Sequence, residues 1–289
     1  MSALCTSPLA KGLFRRVIME SSTVVSANPP HSFRLLDEAL DSGKELKSRH
    51  SCTSIAELRA LPAEELASEA YTQHHITVDG YVLTETPYES YKKGIHNEGA
   101  ILHSANAEES GPFIILDHAN MSNYSAKIQE YFGSYTDEIL NIYPASTGDE
   151  ADRYWAEIYG SVFFNYPHYC LDRLAVQNGI PAYEYLFTKH NGRLGCWHSG
   201  EMVYCFGNIP GNSPLYDTTD RELSRTMTAY WLNFMKTGDP NGAGLPVWEQ
   251  STTSEKLLEF GDNIGMTDEK PLALYSVLDR MEGFDIMVR

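Results

Sequence analysis

The chain has 289 residues, 42% hydrophobic and 11% aromatic, enough for one large domain or two modest ones with a substantial core. Its 39 acidic residues against 22 basic ones give a formal charge of −17, which repels phosphate backbones and argues against a nucleic-acid partner. No apolar run approaches the ~20 residues that a bilayer span needs. The 5 cysteines are scattered and form no C-x-x-C pair, which points to reduced thiols in a cytosol-like compartment rather than to a zinc knuckle.

Taken in chain order, PLAKG reads as a loop and RRVIME (15–20) as a strand entering a core, ended by the polar cluster Ser21-Ser22-Thr23. From 33 to 48, Phe33, Leu36 and Leu40 recur at helical spacing among charges. Ser54 with Glu57 has capping-box spacing at the start of SIAELRAL, and Pro62 stands where a first helical turn tolerates it, before AEELASEAY. The turn-like VDG precedes YVLTETP, and AILHSA (100–105) has the length and apolar character of a strand. A helical region is expected from about 113 to 177, broken near Pro144 and Pro167. AYEYLF (182–187) is rich in strand formers and bounded by Pro181. In 220–236, Leu223, Met227, Trp231 and Phe234 share one helix face, with a capping box of Thr219 and Glu222 at the start and Gly238 and Pro240 at the end.

Strands alternating with helical stretches predict an α/β fold built on a mostly parallel sheet with flanking helices. No linker rich in Gly, Ser or Pro interrupts the chain, so residues 1–289 are expected to form a single domain.

In open α/β sheets, reactive groups sit on loops beyond the carboxyl ends of the strands. Two such loops carry suitable residues: the one after AILHSA, with Asn106, Glu108 and Glu109, and the one after AYEYLF, with His198. Successive side chains of an extended segment point opposite ways, so at most one of Glu108 and Glu109 can face the histidine. A buried carboxylate on Nδ1 would fix the imidazole tautomer and stabilise the imidazolium formed on proton uptake. On residue types alone, a structural histidine and a solvated acidic loop are the commoner readings of these residues. Trp197, Tyr204 and Phe206 are candidates for lining a substrate passage or for ordinary core packing. Neither His74-His75 nor His198-x-x-Glu201 has H-E-x-x-H spacing, so no metal and no cofactor is expected.

Five stretches, in order, resemble segments of the type B carboxylesterase/lipase family, which includes cholinesterases and bacterial para-nitrobenzyl esterases. TSPLAKGLFRRVIMESS (6–22) is similar to the segment after the family's nucleophile elbow, and VDGYVL (78–83) to its V-D-G region. ILHSANAEESGPF (101–113) resembles its N-x-D-E-G acid loop and GCWHSGEMVYCFG (195–207) its G-x-x-H-x-x-E-x-x-Y-x-F-G histidine loop. YWLNFMKTGDPN (230–241) resembles its late helix and turn. The resemblance implies the C-terminal part of an α/β-hydrolase fold, with Glu109 as triad acid, His198 as base and Ser21 as a serine supporting the acid. Ser110 stands where the family usually has glycine.

The family's nucleophile is the serine of a G-E-S-A-G elbow, and no G-x-S-x-G occurs in these 289 residues. The resemblance therefore implies the C-terminal portion of a serine carboxylesterase, truncated on its N-terminal side. It would supply acid and base for cleaving small-molecule carboxylic esters through an acyl-enzyme, but not the nucleophile. Removing the nucleophile of subtilisin costs about 2 × 10⁶ in kcat, so this chain alone is expected to show no appreciable turnover. A bare edge on the RRVIM strand would favour aggregation or pairing with another chain. The alternatives are a two-chain enzyme whose N-terminal fragment brings the serine, a catalytically silent cholinesterase-like binding module, or an inactive gene fragment. Export and cytosolic residence both remain open.

Overall fold

Parallel strands need long crossovers, and the spacing of the apolar runs supplies them. The computed structural model describes residues 1–21, 23, 25, 33–67, 76–190, 195–252, 256–268 and 271–286; Ser22, His74 and His75 of the sequence reading lie outside these. The strands are β1 (Val17–Glu20), β2 (Phe33–Leu35), β3 (Ile76–Val78), β4 (Ile101–Asn106), β5 (Ala182–Phe187), β6 (Lys256–Phe260) and β7 (Ile264–Asp268). Five form one sheet in the order β1-β4-β5-β6-β7. The first four are mutually parallel and β7 closes the far edge antiparallel. β2 and β3 pair in parallel as a separate small sheet. The mostly parallel sheet with flanking helices is that of an α/β-hydrolase fold.

Each face of the main sheet has its own core. Val17, Met19, Ile101 and Ala182 pack with the helices Tyr166–Asn178 and Leu272–Glu282. Leu102, Tyr183, Tyr185 and Leu258 point the other way, as the period-two pleat requires, into a cluster around the helix Thr218–Thr237. Leu223, Met227, Trp231 and Phe234 of that helix are all buried there, as their spacing predicts. Trp248 sits at the centre, its ring edge-on to Tyr185, Tyr230 and Phe260. Among the described residues β1 pairs only with β4, and Ile18 and Glu20 are half-buried.

Local rules placed several elements differently from the sequence reading. The helix expected from 33 begins at Leu36, because Phe33–Leu35 pairs with β3 and the Glu38 carboxylate accepts the Leu35 N–H at 2.8 Å. The helix expected from 113 begins at Tyr124; Ser110 O instead accepts the Phe113 and Ile114 N–H groups in tight turns. Pro144 marks a true break, whereas the chain stays helical through Pro167. Ser161–Asn165 widens there into a π turn, which absorbs the missing proline N–H and its clash with the preceding turn. The 218–237 helix is capped by Asp217 with Asp220, not by Thr219 with Glu222: Asp217 accepts the Asp220 N–H at 3.1 Å, and Asp220 reciprocates to the Asp217 N–H at 2.8 Å. β6, β7 and the helix Leu272–Glu282, which Pro271 and a left-handed Gly283 bound, are elements beyond those the sequence reading predicts.

No helix among the described residues is long and apolar enough to cross a membrane. All 5 cysteines are free.

Candidate active site

Register brings the ends of three strands together. Glu20 pairs with Ser104 and Ser104 with Tyr185, so the loops that follow β1, β4 and β5 emerge side by side. These loops carry Ser21, Glu109 and His198, far apart in the chain.

Glu109 lies fully buried where the chain turns after β4. Its Oε1 accepts two hydrogen bonds, from Ser21 Oγ at 2.5 Å and from the Asn106 backbone N–H at 2.6 Å. Its Oε2 faces His198 Nδ1 at 2.6 Å. Hydrogen bonds to a carboxylate are the strong kind, and three of them hold this one in a single orientation. Ser21 reaches it from a left-handed backbone, φ 50°, a conformation that costs a non-glycine residue about 1–3 kcal/mol. Its N–H is anchored to Ser104 O at 2.7 Å.

His198 stands on a tight turn in which the Gly200 N–H bonds to Trp197 O at 2.8 Å. Ser199 takes φ 68° to make that turn, and a Cβ on Gly200 would come within 2.9 Å of Trp197 O. The imidazole is 31% exposed and flanked by Phe113 and Phe164, ring centroids 5.2 and 5.1 Å away. Phe164 belongs to the π turn, so the widening that accommodates Pro167 also aims an aromatic at the histidine. The Glu109 hydrogen bond holds the His198 pKa above its ordinary value, against the opposing effect of burial and with help from the Glu109 and Glu201 charges. With Nδ1 engaged, Nε2 is the nitrogen open to accept a proton.

Glu108 and Glu109 diverge as the extended-segment argument requires. Glu109 meets His198, and Glu108 meets His190 at 3.3 Å. Ser110, in place of the family glycine, is buried without adopting a left-handed backbone, so the serine fits the loop unstrained. Trp197 and Tyr204 share a small cavity of about 170 Å³, which Phe206 does not line. Trp197 borders a cavity of about 620 Å³ with Ser110, Gly111, Ile114 and Leu186. Tyr204 is buried against Phe187 and donates to Asp220 at 2.8 Å, and Phe206 is exposed.

Two further residues take roles that the sequence reading does not assign to them. Asn106, the last residue of β4, gives its backbone N–H to Glu109 and its side-chain amide to Trp197 O at 2.8 Å and to Glu201 Oε2. Glu201 is almost fully buried. Burial, opposed by the Asn106 hydrogen bond and reinforced by Glu109 and Glu20, raises its pKa from 4.5 to about 7. Sequence marked Glu201 only as a position in the histidine-loop pattern; nothing local shows that it will be buried beside a second carboxylate.

Against known proteins, the family model described as the carboxylesterase family matches residues 1–273. The chain is 27% identical to carboxylesterase 5A of Canis lupus familiaris over 92% of its own length and 52% of that protein. It is 25% identical to fumonisin B1 esterase of Sphingopyxis macrogoltabida, again over 92% of this chain and 52% of the relative. With carboxylesterase 3 of Homo sapiens the identity is 26% over 90% of this chain and 52% of the relative. The chain thus spans about half the length of the curated relatives it matches.

Proposed function

The chain belongs to the carboxylesterase family, and from that premise we propose that it forms the proton-transfer half of a serine esterase site acting on carboxylic esters. The observation that carries this reading is the hydrogen-bond chain Ser21–Glu109–His198 at 2.5 and 2.6 Å, ending on an open Nε2. In the proposed mechanism Nε2 takes the proton of a serine hydroxyl as that oxygen attacks the ester carbonyl. It then returns the proton to the leaving alcohol, and a water deprotonated the same way releases the acid. Glu109 keeps the Nδ1–H tautomer and stabilises the imidazolium, and Ser21 and Asn106 hold Glu109. Phe113 and Phe164 flank the ring and shield part of it from water.

The serine itself is proposed to come from outside these 289 residues, since no G-x-S-x-G lies within them. The test is hydrolysis of a para-nitrophenyl butyrate ester by this chain alone and after joining it to a segment carrying a G-E-S-A-G elbow. The expected result is turnover only in the joined protein, abolished by His198→Ala. Turnover by the isolated chain that disappears with His198→Ala would overturn the division of labour. A joined, folded protein that takes up a fluorophosphonate without any dependence on His198 would overturn the role of the base.

A further inference from the structure

Beside the dyad, three side chains of metal-ligating type converge from two loops, Glu108 from the one after β4 and His190 and Cys196 from the one after β5. Cys196 Sγ lies 3.3 Å from His190 Nε2, and Glu108 Oε1 lies 3.3 Å from that same nitrogen. All three ligand atoms fall within 4.8 Å of one another. Because both contacts fall on one ring nitrogen, the group is not a nucleophile–base–acid relay, which needs the thiol and the carboxylate on opposite nitrogens. It is a converging donor set. At usual zinc bond lengths a tetrahedral ion separates its sulfur, nitrogen and oxygen ligands by about 3.3–3.6 Å, and the two 3.3 Å separations already approach this.

The surroundings fit an ion as well. Cys196 is 1% exposed, so its sulfur forms the floor of the group, while the Glu108 and His190 side chains are each 52% exposed and leave a side open for a water ligand. The Glu108 carboxylate lies over Gly195, where any Cβ would come within 2.6 Å of Oε2. Glycine at 195 thus leaves room for the carboxylate to approach the cysteine and the histidine. One thiolate, one imidazole and one carboxylate favour zinc-class ions over magnesium or calcium, which take oxygen donors alone.

We propose that Glu108, His190 and Cys196 bind one zinc-class divalent cation, which ties the loop of Glu109 to the loop of His198. Glu108 precedes Glu109 directly, Cys196 lies two positions before His198, and the two loops already share the bond from Glu108 N–H to Cys196 O at 3.1 Å. An ion bonded to both side chains braces that bridge. On binding, the Cys196 thiol releases its proton to solvent and a metal–sulfur bond forms, with no change of oxidation state. Sequence spacing hid the site, since Glu108 comes from a different loop than His190 and Cys196 and the three match no metal motif. The proposal is independent of the esterase reading, because its readouts need no turnover.

The test uses the whole chain, stripped with a chelator and titrated with Zn²⁺ by calorimetry and with Co²⁺ by absorbance. One equivalent should bind, Co²⁺ should give a thiolate charge-transfer band, and Zn²⁺ should raise the unfolding midpoint. Cys196→Ser should remove the band and the thermal shift, whereas Cys205→Ser, at another buried cysteine, should keep both. His190→Gln and Glu108→Gln sit at exposed positions that the fold tolerates, and each should weaken binding at least tenfold. The absence of a thiolate band, or Zn²⁺ affinity unchanged in His190→Gln and Glu108→Gln, would overturn the site.

Discussion

The sharpest consequence of the site geometry concerns Glu109→Gln in the joined enzyme. Glu109 Oε1 receives two donors, Ser21 Oγ and the Asn106 N–H. A glutamine must therefore keep its carbonyl oxygen there, and its amide nitrogen then faces His198 Nδ1. That nitrogen donates, so Nδ1 must accept, and the ring proton moves to Nε2, the atom that has to receive the serine proton. The opposite amide orientation would set a donor against two donors, forfeiting two hydrogen bonds worth about 1.5–3 kcal/mol each. That cost holds the amide in the first orientation, in which the base is disabled. The equivalent carboxylate-to-amide change in a serine protease costs about 10⁴ in kcat, which is about 5.4 kcal/mol of transition-state stabilisation. In metal-free, chelator-treated enzyme Glu108→Gln removes only an exposed contact to His190 at 3.3 Å, worth about 0–1 kcal/mol, so turnover should stay within about fivefold. Steady-state kcat and KM for para-nitrophenyl butyrate, measured on both variants, decide the matter. Glu109→Gln retaining more than a tenth of wild-type kcat, or Glu108→Gln proving the more damaging, would refute the reasoning.

Ser21→Ala removes one hydrogen bond to a carboxylate, worth about 1.5–3 kcal/mol; kcat in the joined enzyme should fall about 10- to 100-fold with KM little changed. Glu201 gives the isolated chain a pH signature. Its folded pKa is raised to about 7 from 4.5, so between those values the native state holds a proton that the unfolded state has lost. Stability therefore falls as pH rises through that window, by about 3 kcal/mol in total, and is flat for this group on either side. Urea unfolding of Glu201→Gln should lose that slope and match the wild type at pH 4; an unchanged slope would show that Glu201 ionises freely. Phe164→Ala opens one wall beside His198 and should lower kcat in the joined enzyme while secondary structure, followed by circular dichroism, stays intact. Trp248→Ala empties the centre of one core, where the indole N–H also bonds to Glu184 O at 3.0 Å. It should cost about 3–5 kcal/mol in the same urea assay.

The amino-acid sequence by itself determined what depends on near neighbours. Apolar spacing along 218–237 fixes which helix face is buried, the apolar run AILHSA makes β4, and Ser54 accepts the Glu57 N–H at 3.2 Å as its capping position demands. The order of motif-like stretches was legible for the same reason: each is a contiguous word of residues. Even locally, competition between candidates was not decided, since Asp217 outbids Thr219 for the helix start by presenting the right side chain at the right φ. Tertiary structure alone decided the site. Ser21 and Glu109 are 88 residues apart, and Glu109 and His198 are 89; only the parallel register of β1, β4 and β5 sets their loops side by side. Which of two adjacent glutamates meets the base, why Glu201 is raised while Glu108 lies open, and how Cys196 comes to face His190 all follow from where burial falls. Burial is set by the packing of elements distant in sequence, so no local pattern records it.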